Sequence, residues 1–181
     1  LSFDRFPSAK GAATHINAFA TALGEHFGNV NLITIPSEEH SRAESHSRKQ
    51  SSTTLPTQPL ESALLPPNWE AQGIRHYPLP AMGDNLFERV LSYRAQIRHW
   101  WKHELQPQSD RLPIVHFRSI FEGYPFARNK QKLCDKIVYE VNGLPSIELK
   151  YHYPDVAYDQ ELERKLLFQE QTCLDAADLV L

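Results

Sequence analysis

Large apolar residues recur along this chain in short runs and helix-spaced stripes. Ile16, Phe19, Ala20, Leu23 and Phe27 fall at helical spacing, and Gly28-Asn29 is a helix stop. Val30–Pro36 reads as a short strand closed by proline, and Leu1–Phe6 as the end of a buried strand. Strand, helix and strand within about 35 residues is the size of one βαβ unit. Residues 37–60 are rich in Ser, Thr, Gln, His and charge, and predict a mobile insertion without enough apolar surface to offset its ordering entropy. Gly73–Pro80 predicts a strand punctuated by proline. Leu86, Val90, Tyr93, Ile97, Trp100, Trp101 and Leu105 predict one long helix. Pro113–His116 predicts a strand, 125–134 a helix with Pro125 near its start, and Lys136–Val141 a buried strand bounded by Asn142-Gly143. Leu162, Leu166, Cys173 and Ala177 share a face of a final helix, with Leu167 and Leu174 beside it. Strands alternating with helices predict an α/β fold with a Rossmann-like, doubly wound parallel sheet.

The 181 residues are 41% hydrophobic, which suits one globular α/β domain. A net charge of −3 supplies no global field for a polyanion, and no basic patch is interleaved with aromatics, so nucleic acid is excluded as the expected partner. Cys134 and Cys173 form neither a metal spacing nor a disulfide framework, which fits a reducing, cytoplasmic compartment. There is no apolar run of membrane-spanning length and no signal peptide. The basic stretch Arg94–Lys102 with Trp100 and Trp101 is either a core helix with a solvated basic side or an interfacial face for peripheral membrane contact. His40 and His46 lack partnered ligands, so no metal is expected there. The chain begins at Leu1, without Met, and ends at Asp178–Leu181 as if a strand were opening; a piece of a longer protein is expected.

In an open parallel sheet, ligands sit beyond the carboxyl ends of the strands. Four clusters meet that condition. Lys10, Gly11, Ala12, Thr14 and His15 form a Gly loop entering a helix, whose backbone N–H groups suit an anion; a simple turn reads equally well. His116 and Arg118 follow a strand and either donate to a hydroxyl, carboxylate or phosphate or are a capping His with a surface Arg; Glu122 beyond them is a ligand contact or a helix-start charge. Glu140 lies in an otherwise apolar strand, so its carboxylate must be paired or protonated, and Asn142 follows it. Ser146–Tyr153, carrying Glu148, Lys150 and Tyr151, alternates polar and aromatic residues in what reads as a loop at the same edge; it is either a sugar-holding surface or, on the favoured reading, aromatic packing with a solvated charge run. No nucleophilic triad or metal-ligand constellation is visible, and the incomplete GxGxxG pattern argues against a nicotinamide enzyme.

Together these segments resemble the N-terminal half of glycosyltransferase family 4, the retaining enzymes of GT-B architecture. Phe6-Pro7 with Lys10–Ile16 looks like that family's Gly-rich loop and first helix. Ala20, Leu23, Gly24 and Val30–Thr34 look like its helix and second strand. Val115–Ser119 is similar to its fourth strand and loop, Val138–Pro145 to its fifth strand and active-site loop, and Glu170–Leu181 to the helix before its sixth strand. The resemblance implies an acceptor-side, Rossmann-like domain over 1–181, with the C-terminal donor-binding domain outside this chain. It implies a hexosyltransferase-like activity that is nearly absent from the fragment alone. A nucleotide-sugar donor would act as co-substrate without any cofactor or metal, and the acceptor would be a carbohydrate or lipid-linked molecule. Peripheral contact with the inner face of a membrane is compatible with it. Lys10, Gly11 and Ala12 would face the donor diphosphate, and Asn142 and Glu140 would be catalytic. Thr14, His15, His116, Arg118, Lys150 and Tyr151 would hold the acceptor. Many family members carry a His where this chain has Asn142; Asn keeps a hydrogen bond to a sugar hydroxyl but moves no proton at neutral pH. The alternative is a non-catalytic α/β ligand-binding or regulatory domain.

Overall fold

A computed structural model of the chain describes residues 1–9, 11–37, 68–106, 109–154 and 158–181. The insertion expected at 37–60 lies outside these apart from Ser37, as do Lys10, His40 and His46. The described residues are mixed α/β with two sheets of parallel strands, and divide into two compact units, Asp4–Pro80 and Leu1–Phe3 with Ala81–Leu181.

In the Asp4–Pro80 unit, helix α1 (Gly11–Phe27) leads to strand β1 (Val30–Thr34), which pairs in parallel with β2 (Ile74–Pro78), Val30 opposite Ile74. The expected opening strand is reduced to one parallel bridge, Arg5 with Ile35. The buried stripe of α1 is Ala13, Ile16, Ala20 and Gly24, with Phe27 left 52% exposed. Small residues take the inner face because the helix lies close on the sheet: a Cβ on Gly24 would stand 2.6 Å from the Ile74 side chain. Phe6 stacks on Trp69 at 5.4 Å, and both join Ile16, Leu32 and Ile74 in the core. Gly28 ends α1 at φ +65 and Gly73 opens β2 at φ +69, two left-handed positions that glycine occupies without strain. They pack on each other so tightly that a Cβ on Gly73 would stand 2.0 Å from the Gly28 carbonyl oxygen.

The second unit opens with α2 (Leu86–Trp100), capped by Asn85, whose side chain accepts from the Glu88 amide at 3.0 Å. The single long helix predicted here instead passes into a π-helical turn, Trp101–Leu105. Adjacent residues point to different sides of an α-helix, and the wider turn lets Trp100 and Trp101 both bury, at 5% and 7% exposure. Neither indole therefore offers an interfacial face. Strands β3 (Leu112–Phe117), β4 (Cys134–Tyr139) and β5 (Leu179–Val180) form one parallel sheet in that order. Helices α3 (Ile120–Arg128) and α4 (Lys130–Leu133) join the first two strands; α5 (Pro145–His152) and α6 (Gln160–Ala176) join the last two. Among the described residues no helix is long and apolar enough to cross a membrane.

Two predicted boundaries are corrected. The helix expected over 125–134 starts at Ile120, where Ser119 and Glu122 form a capping box, and Cys134 already belongs to β4. Pro125 is inside α3 and cannot donate to the Phe121 carbonyl. Arg94 takes that oxygen instead, Nε to Phe121 O at 2.6 Å, with Nη2 on Ile120 O at 2.8 Å. The loop expected over Ser146–Tyr153 is α5, with Pro145 in its first turn.

Gly73→Ala should destabilise the Asp4–Pro80 unit by at least about 2 kcal/mol in chemical unfolding, from left-handed strain plus the clash with Gly28. Gly11→Ala, where a Cβ meets nothing within 4 Å, should be neutral or stabilising by less than about 1 kcal/mol. Equal losses at both sites would contradict this packing.

Candidate functional site

Parallel register builds the site. Phe117 of β3 stands opposite Tyr139 of β4, so Arg118 and Glu140 leave the carboxyl edge side by side. The Glu140 amide still donates to Phe117 O at 2.9 Å, which extends the pairing by one residue. Glu140 Oε1 lies 3.2 Å from Arg118 Nε, and Oε2 lies 3.2 Å from His116 Nε2. Arg118 Nη2 donates to Asn142 Oδ1 at 3.0 Å. The Arg118 and Glu140 side chains are 11% and 8% exposed, so each compensates a charge that would otherwise be costly to hold out of water. A guanidinium only donates, so Asn142 must turn its oxygen inward and its amide NH2 outward. Burial pushes the His116 imidazole down to about 4, leaving the ring neutral near pH 7 beside the ion pair.

Two further carboxylates hold the loops that carry these groups. Glu122, fully buried, accepts from the Arg118 amide at 3.0 Å and the Ser119 amide at 2.8 Å, and Ser119 Oγ donates to its other oxygen at 2.5 Å. Burial raises its carboxyl above the ordinary range. Glu170 on α6 repeats the arrangement for the next loop. It accepts from the Ser146 amide at 2.7 Å and the Ser146 hydroxyl at 2.6 Å, fixing the first turn of α5. Of the two options for Glu122, the structure supports the helix-start role. Glu170 was not visible as a site-supporting residue, because its partner lies 24 residues away and no local pattern links them.

The first turns of α3 and α5, which leave this sheet edge, also line a pocket of about 390 Å³. Phe121, Leu149, Pro145 and Leu86 give it apolar walls, and Glu148, His152 and Tyr153 give it polar ones.

The structure thus joins His116, Arg118, Glu140 and Asn142 into one connected group. Lys150 and Tyr151 stand on the exposed side of α5, the ammonium 5.6 Å from the phenol ring centroid. Gly11, Ala12, Thr14 and His15 belong to the Asp4–Pro80 unit, in the first turn and a half of α1, with His15 edge-on to Phe19 at 4.8 Å. Gly11 has no positive φ and open space around its Cβ position, so the fold itself does not demand glycine there.

His116 and His76 make stability depend on pH. His76 sits 2.8 Å from Thr34 Oγ1 and is likewise pushed down to about 4 by burial. The unfolded chain takes up protons near 6.5 that the folded chain refuses until about 4, so stability is full above 6.5 and falls through that window. Each group should cost on the order of 2–3 kcal/mol by pH 4. Urea unfolding followed from pH 7 to 4.5 should show the loss, and His116→Gln or His76→Gln should flatten it. An unchanged slope in both variants would contradict the buried neutral assignment.

No protein-family model, curated protein or solved structure matches this chain, and the functional reading rests on the residues themselves.

Proposed function

We propose that this chain is the acceptor-side domain of a retaining GT-B glycosyltransferase of family 4, with a Rossmann-like, doubly wound organisation. The observation that carries this reading is the fixed group at one sheet edge: Asn142 oriented by Arg118, which is held in turn by Glu140. Its partners would be a nucleotide-sugar donor, a carbohydrate or lipid-linked acceptor, and a C-terminal donor-binding domain. It would work in the cytoplasm, at or near the inner face of a membrane.

In this scheme the outward NH2 of Asn142 donates to a hydroxyl of the transferring sugar. Glu140 balances Arg118 and sets its direction. His116, neutral beside Glu140, would meet the acceptor without adding charge. The pocket between Phe121, Leu149 and Glu148 takes part of the acceptor, with Lys150 and Tyr151 at the outer side of the same helix. By the family resemblance, Lys10, Gly11 and Ala12 would serve the donor diphosphate, where backbone amides stabilise negative charge, and Thr14 and His15 would serve the acceptor.

One observation favours a second reading. Glu140 has a cationic guanidinium on one oxygen and an imidazole on the other, so proton transfer by this carboxylate would break a buried pair. A domain that binds sugar or nucleotide without turnover would keep this geometry.

The test is release of nucleoside diphosphate from a panel of nucleotide-sugars by the longest natural form of the protein. Under the proposal one donor is turned over, and Asn142→Ala lowers kcat/KM by roughly tenfold to a hundredfold, the worth of one buried hydrogen bond to a polar ligand. Gly11→Val, sterically open in the protein itself, should abolish turnover while leaving the fold intact. Ligand binding with no release from any donor would establish the second reading instead.

A further inference from the structure

His99 and His103 stand one turn apart on the solvent side of the helix that runs from α2 into the π turn, and both are exposed. Their ring centroids are 4.3 Å apart and the planes are tilted by 40°. Residues four apart are already neighbours on an α-helix, and the wider turn that begins at Trp101 brings the second residue closer to lying directly over the first. The distortion that buries both indoles therefore also brings these imidazoles face to face at a tilt.

We propose that His99 and His103 chelate a divalent transition-metal ion of the Ni²⁺, Cu²⁺ or Zn²⁺ class. Imidazole is the commonest protein ligand for these ions, and two His one helical turn apart on one face is a recurring zinc-binding arrangement. Both side chains are solvent-exposed and can turn their ring nitrogens toward one ion without breaking core packing. Among the described residues no group of three or more His, Cys, Asp or Glu is gathered as a metal site, so the ion would complete its coordination with water. Glu104 follows His103 with a carboxylate, whereas Arg98 and Lys102 place positive charge next to each ligand. Affinity should follow the ordinary order, Cu²⁺ above Ni²⁺ above Zn²⁺. A bound ion would tie the last turn of α2 to the π turn and stabilise the folded chain by mass action.

The test is calorimetric titration of the tag-free chain with Ni²⁺ and with Zn²⁺, alongside thermal unfolding in each metal. One equivalent should bind, and the unfolding midpoint should rise saturably with metal. His99→Ala and His103→Ala should each weaken binding at least about tenfold, because either change removes the chelate, and each should cancel the thermal shift. His152→Ala on α5 should leave both unchanged. Absence of binding at millimolar Ni²⁺ would overturn the proposal. So would wild-type affinity in either single variant, since the site needs both rings.

Discussion

Arg118 and Glu140 leave neighbouring parallel strands at the same level and bury opposite charges 3.2 Å apart. Desolvating either group alone is expensive, so each makes the other tolerable. The rest of the sheet edge is arranged around that constraint. His116 stays neutral beside the pair, and Asn142 accepts a hydrogen bond from the guanidinium and is thereby oriented. The contrast with the surface is informative. Arg164 and Glu161 pair at 2.9 Å but are 71% and 58% exposed, and pairs of that kind contribute little. The buried pair acts through specificity of arrangement, in that each single replacement strands a charge.

A different device, a buried carboxyl hydrogen-bonded to a serine, appears on each side of it. Glu122 and Glu170 each use both carboxylate oxygens on a serine amide and hydroxyl, at the two points where the chain turns from a strand into the following helix. These turns carry Arg118 and Asn142 and line the pocket. Rigid support of this kind lets a site present polar groups to a ligand without the entropy of ordering them at each encounter. Arg94 serves the fold in a similar way, by filling the gap in hydrogen bonding that Pro125 leaves in α3.

Much of this was legible from sequence, for identifiable reasons. Apolar periodicity located α1, β1, β2, β3, β4 and α6, because each buries one stripe or one short run. Glu140 stood out as a carboxylate among apolar residues that required a partner. That the partner is Arg118 follows only from strand register, which periodicity does not encode. Pro125 drew the start of α3 too late, although Ser119 and Glu122 carry a capping box that marks it. α5 has little sequence signal because so short a helix buries only Pro145, Ser146 and Leu149. The π turn arises from two adjacent tryptophans competing for one core, a tertiary effect with no local signature. Glu170 acts across 24 residues, beyond the reach of any local pattern.

The central claim is that the buried Arg118–Glu140 pair organises this edge, and a double-mutant cycle in chemical unfolding tests it most directly. Arg118→Met and Glu140→Gln should each cost about 3–5 kcal/mol, since each strands the other group. The double variant should cost clearly less than the sum, with a coupling of at least about 1 kcal/mol. Two single losses that simply add would mean the groups act independently, and would contradict the account.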